Sequence, residues 1–150
     1  MDISKQDLID ELKSIINKKI KELKHSIKKT EESRDLETKS SVGDKYETSR
    51  ALIQIELGQY QKQLKGHLAK IQSLNEINPN KKMDVVETGA LVETDTANYF
   101  ISIGFGEFLI KGKKIFVISL NSPIGEKMAG AKVNDKIEFN GITQTLQKVS

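Results

Sequence analysis

The feature that most constrains this chain is a seam of side chains at Ile53, Leu57, Tyr60, Leu64, His67, Ile71 and Leu74, spaced alternately by four and three residues. That alternation is a heptad a/d repeat, and it demands a long helix buried along one narrow line. A second stripe stands earlier, at Ile9, Leu12, Ile16, Ile20, Leu23 and Ile27, with steps that also keep it on one helical face. Two stripes separated by a polar interval predict an antiparallel coiled-coil hairpin over residues 1–78, each arm burying the other. At 1.5 Å per residue each arm is roughly 45–55 Å long, more than a small core needs.

The interval from Lys28 to Arg50 loses the apolar face and gains charge, with Glu31, Glu32, Arg34, Asp35, Glu37 and Lys39 preceding Ser40-Ser41-Val42-Gly43-Asp44. This last stretch carries the turn signal of the hairpin, so the chain is expected to reverse there and to expose an acidic tip near residues 40–48. Asp44 and Glu47 then open the returning helix, where carboxylates are favoured as caps and by the macrodipole. Three residues apart on a helix, they also share one side of it. Hard oxygen ligands of this kind suit Mg²⁺, which takes one or two carboxylates and fills its other positions with water and phosphate oxygens. Such a tip can complete a metal site on a partner but cannot build one alone.

Composition changes at Pro79. The 78 residues before it hold three of the ten glycines and two of the eight aromatic residues, and the periodicity after it drops to two. Residues 89–94, 98–103 and 114–120 read as strands, and Asn140-Gly141 between residues 136–139 and 142–149 is a type I′ hairpin signal. Ser122 as N-cap with Pro123 at the first helical position opens a short helix that Gly130 ends. The expected fold is α+β: a helical hairpin, then a domain over residues 79–150 of about five strands with one helix packed on them. Its expected core is Phe100, Ile103, Phe108, Ile115, Val117, Ile118, Ile124, Val133, Ile137, Phe139 and Leu146.

Other functions fall away. There is no cysteine, and the two histidines, His25 and His67, both lie in the hairpin, so thiolate metal sites and a His-based triad have no place in the β domain. His67 belongs to the seam and is expected to pack there, whereas His25 lies off its stripe and is expected at the surface. Gly104-Phe105-Gly106 lacks the third glycine and the following helix of a dinucleotide loop, and Gly112-Lys113-Lys114 lacks the upstream glycine of a P-loop. Lys111, Lys113 and Lys114 are read as a hydrated loop, with an acidic partner surface as the sharper alternative. No apolar run approaches the length of a membrane span, and Met1 to Lys5 carry no signal core, so a cytoplasmic protein without a membrane partner is expected. Charge is nearly balanced in both parts, 15 basic against 13 acidic before Pro79 and nine against eight after it, which argues against bulk phosphate neutralisation.

Two motifs then stand out. Gly43-Asp44-Lys45-Tyr46-Glu47 at the turn resembles the G-D-x-x-E tip of the bacterial Gre transcript-cleavage factors. Asn121-Ser122-Pro123-Ile124, followed by Gly130, Val133 and Asp135, resembles the signature of the same family in its C-terminal domain, which is like that of the FK506-binding proteins. The resemblance covers nearly the whole chain in the right order. It implies a monomeric partner of RNA polymerase that docks its C-terminal domain at the rim of the secondary channel through Ser122, Pro123 and Ile124. The coiled coil then reaches the active centre and the RNA 3′ end. Asp44 would help hold a Mg²⁺ ion shared with the polymerase and Glu47 would orient a water. The polymerase, not this chain, would hydrolyse the backtracked RNA, and no cofactor of its own is implied.

The chain also departs from that family. The family has N-x-E-Y after the motif glutamate, and here Thr48-Ser49-Arg50-Ala51 follows. Arg50 is therefore either an RNA phosphate contact or the partner of a hairpin acid such as Glu47. Asn134 stands where the family has glycine, a replacement asparagine makes at positive φ. Two rivals remain open: a Gre-like occupant of the channel that competes or inhibits without cleavage, and a coiled-coil interaction or chaperone-like module whose tip acids only solubilise the turn.

Overall fold

Two helices of nearly equal length lead the chain, α1 at Lys5–Lys39 and α2 at Gly43–Asn75. In this computed structural model the described residues are 2–39 and 43–150, and the side chains of residues 37–46 are not among them. At 35 and 33 residues the helices span about 50 Å each, as the two stripes require. Ser4 starts α1, its Oγ accepting from the Asp7 amide at 3.0 Å, while Leu8 N donates to the Ser4 carbonyl at 3.2 Å. Contacts divide the chain into two compact units, one of residues 13–72 and one of residues 1–12 with 73–150.

Within the helical unit, the seam positions of α2 are its protected ones. Leu57 is buried and Ile53, Tyr60, Leu64, His67 and Ile71 are half-buried, while most residues between them are exposed. On α1, Ile16 and Ile20 are buried and Leu23 and Ile27 half-buried, facing inward at the same spacing. Lys19, Glu22, Leu23 and Ser26 border a common groove with Gln63 and His67, and because α2 starts only four residues after α1 ends, the arms run antiparallel. His25 is exposed, as its position off the stripe predicts.

The second unit is a six-stranded mixed sheet with one short helix. Its strands are β1 at Leu91–Thr94, β2 at Asn98–Ile101, β3 at Gly106–Ile110, β4 at Lys113–Ile118, β5 at Lys136–Phe139 and β6 at Ile142–Val149, with the helix α3 at Pro123–Met128. The order across the sheet is β3-β4-β2-β1-β6-β5. Only β2 and β4 are parallel, with Phe100 beside Val117, and the other neighbours are antiparallel. Phe100, Ile101, Ile115, Val117, Val92 and Leu146 are fully buried. The first turns of α1 belong to this unit: Leu8, Ile9 and Leu12 are buried, Lys5 Nζ donates to the Lys81 carbonyl at 2.9 Å, and Lys111 pairs with Asp7 at 3.0 Å. Burial, with Lys81 close by, holds the Lys5 ammonium below its ordinary pKa.

Three expectations need correction. The sheet has six strands rather than five, because Gly106–Ile110 pairs antiparallel with β4. The hairpin turn is Lys111-Gly112, both at positive φ (50° and 76°), a I′ geometry without the usual asparagine. Lys113 therefore lies in β4 rather than a loop, Lys114 lies in β4 as the strand reading of 114–120 has it, and Lys114 pairs with Glu107 across the strands at 2.7 Å. Val133 is 45% exposed instead of buried, because it lies in a turn closed by Asp135 N donating to the Lys132 carbonyl at 3.0 Å, and Ala131 takes the inward place. By contrast Asn140-Gly141 has the expected turn, with φ of 52° and 76°.

Candidate functional site

The helix α2 opens at Gly43, four residues after α1 ends at Lys39, so positions 44 and 47 fall in its first two turns. Spaced by three, they lie on one side of the helix. The Asp44 side chain lies outside the described residues. Glu47 is exposed, and so is Arg50, three residues further along the same face. On α1, Glu32 and Asp35 are exposed near the same end, Arg34 is half-buried, and its Nε stands 3.7 Å from Asp35. No group of three or more histidines, cysteines or acids able to hold a metal occurs among the described residues. Among the described residues, this end of the hairpin thus carries separate exposed carboxylates rather than an enclosed coordination site.

Further along the seam, His67 packs as the heptad demands, but at a cost. Its Nδ1 is buried with no hydrogen-bond partner among the described residues. Desolvation, together with Lys70 and Lys19, pushes the imidazole below its ordinary pKa, so it is held neutral. Its place is in packing, and with Glu22 as the one other ligand-type residue on its groove it belongs to no group of three among the described residues.

The second cluster is the loop before α3. Ser122 is an N-cap in extended conformation whose Oγ accepts from Gly125 N at 3.1 Å and donates to the Ser119 carbonyl at 2.7 Å. Ser119 Oγ in turn accepts from Asn121 N at 3.1 Å. Pro123 follows at the first helical position and is exposed, while Ile124 is half-buried against the sheet core. The loop is thus fixed by its own hydrogen bonds and presents Asn121 and Pro123 outward. Sequence reasoning found Ser122 and Pro123 but missed Gly125, which is buried where α3 meets Ser119 and Leu120. Downstream, Gly130 and Asn134 both adopt positive φ of 77°, and Asp135 Oδ2 accepts from Lys132 N at 2.8 Å. The signature residues in this domain therefore have local structural work: a cap, a helix end and a tight turn.

The two clusters lie in different units of the chain. No helix among the described residues is long and apolar enough to cross a membrane. No family model matches the chain, and no curated protein matches it. Among solved structures, GreA factor homolog 1 (Gfh1) of Thermus thermophilus is similar at 13% identity with a TM-score of 0.35, over 92% of this chain and 94% of that one. Gfh1 of Thermus aquaticus is similar at 15% identity with a TM-score of 0.31, over 86% and 92% respectively.

Proposed function

We propose that this chain is a Gre-like transcription factor that binds RNA polymerase, places the Asp44/Glu47 end of its hairpin in the secondary channel and stimulates cleavage of backtracked RNA. One observation carries the reading: the G-D-x-x-E sequence opens the second of two long helices, while the N-S-P-I sequence caps the helix of the sheet unit. Each motif thus has the helix start that its proposed role needs. The near balance of charge suits a factor that meets nucleic acid inside a protein partner rather than alone.

In this mechanism the sheet unit anchors the chain through Ser122, Pro123 and Ile124, and the hairpin supplies reach. Asp44 offers a carboxylate to a Mg²⁺ ion shared with the polymerase, and Glu47 accepts a hydrogen bond from the attacking water and orients it. One or two carboxylates are what Mg²⁺ takes from protein when phosphate and water fill its remaining positions, so Asp44 alone is a sufficient contribution. When bound, such an ion would polarise the phosphate and lower the pKa of its water. The chain is not an enzyme in this account; the bond is broken in the polymerase active site.

A second reading follows from the exposed Arg50, which stands where the resembling family has an acid. In it, the chain occupies the channel and slows nucleotide addition without promoting cleavage. Purified protein added to backtracked elongation complexes with Mg²⁺ separates the two: faster RNA shortening supports the cleavage factor, and slowed nucleotide addition without shortening supports the competitor. Failure to bind polymerase sinks both.

A further inference from the structure

A cavity of about 550 Å³ in the sheet unit borders the loop before α3, with Ser119, Leu120 and Asn121 in its lining. Ser102, just after β2, lines it with only 9% of its surface exposed, and its Oγ is buried without a hydrogen-bond partner among the described residues. The backbone there is satisfied, since Ser102 N donates to the Ile118 carbonyl at 2.7 Å. A buried hydroxyl left unpaired opposes folding, so its partner is expected to come from what enters the cavity.

The remaining lining limits what that is. Glu76 and Lys81 are exposed on the border and supply one charge of each sign, and Lys81 also stands 3.4 Å from Glu87. With one acid against one base, the lining has no excess of positive charge to hold a polyphosphate. There is no aromatic ring in it on which a nucleobase or sugar could stack. Ser73, Thr88 and Asn121 add hydroxyl and amide groups able to donate and accept, while Ile77, Met83 and Leu120 form an apolar wall. Its volume falls within the range of small-molecule sites.

We infer that this cavity binds a free amino acid. The α-ammonium pairs with Glu76, the carboxylate with Lys81, a polar atom of the ligand satisfies Ser102 Oγ, and a short side chain lies on the apolar wall. Nothing in this assignment depends on the polymerase reading, so either stands if the other fails.

The full chain, labelled with ¹⁵N, is titrated with a panel of L-amino acids into the millimolar range, with sorbitol as a neutral polyol and inorganic phosphate as an anion. Saturable shifts at the Ser102 and Asn121 amides with one or more amino acids, and none with the two controls, are expected. Ser102→Ala removes the unpaired hydroxyl and keeps the fold, so its spectrum stays native while affinity falls about tenfold, the value of one lost hydrogen bond. Glu76→Gln, at an exposed position, lowers affinity while leaving stability unchanged. The inference is overturned if no amino acid gives a saturable shift, if sorbitol or phosphate binds equally well, or if both variants bind like the wild type.

Discussion

Gly125 stands against the Ser119 carbonyl so closely that a Cβ there would overlap the oxygen, and it would also lie 2.9 Å from the Leu120 carbonyl and 2.8 Å from Ser122 Oγ. These are backbone atoms and a capping hydroxyl, which cannot move aside without breaking the start of α3. Gly125→Ala is therefore expected to lower stability by about 1–3 kcal/mol, the usual cost of overpacking. Urea denaturation measures it, and under the docking proposal polymerase affinity falls as well because the Ser122-Pro123-Ile124 loop shifts.

His67 gives a second prediction, with a pH signature. Its folded-state pKa lies below the ordinary 6.5, so the unfolded chain binds more protons in the window beneath that value. Stability is full above about pH 6.5 and declines as pH falls through the folded pKa. His67→Leu supplies an ordinary seam residue and removes the orphaned Nδ1. It should raise stability by up to about 1 kcal/mol and flatten that part of the pH profile. An unchanged slope between pH 7 and 5 in thermal melts of the variant would contradict this.

Asn134 tests the turn before β5. It holds a φ of 77° while its amide donates to the Leu146 carbonyl at 2.8 Å. Asn134→Ala is expected to cost about 1 kcal/mol by forcing a Cβ residue without local polar compensation into the left-handed region, and Asn134→Gly less than that. Comparing the two midpoints in denaturant checks the order.

Much of this was legible because it depends on spacing. The four-three alternation from Ile53 to Leu74 predicts most of α2 and its buried side, and Asn140-Gly141 and Ser122-Pro123 fix a hairpin and a helix start through local chemistry alone. The strand β3 was hidden because Gly104 and Gly106 flank Phe105 and its turn is Lys111-Gly112, so no pairing residue announced it. Val133 misled for a related reason: a β-branched residue within a strand-rich region was assigned inward, but the Lys132–Asp135 turn points it out. The roles of Gly125 and Ser102 arise from the folded geometry, a carbonyl of the preceding loop approached too closely and a hydroxyl left unpaired, and no periodicity records either.

The most direct test of the central claim is the rate of RNA 3′-end cleavage in backtracked elongation complexes with saturating wild-type protein, Asp44→Ala or Glu47→Ala. Each substitution removes a carboxylate at the start of α2, and binding to polymerase, read separately by competition with labelled wild type, is expected to be retained. The account predicts that wild type accelerates cleavage and that each variant loses roughly tenfold or more of that acceleration, at least 1.4 kcal/mol of transition-state stabilisation. Cleavage by both variants at the wild-type rate would contradict it.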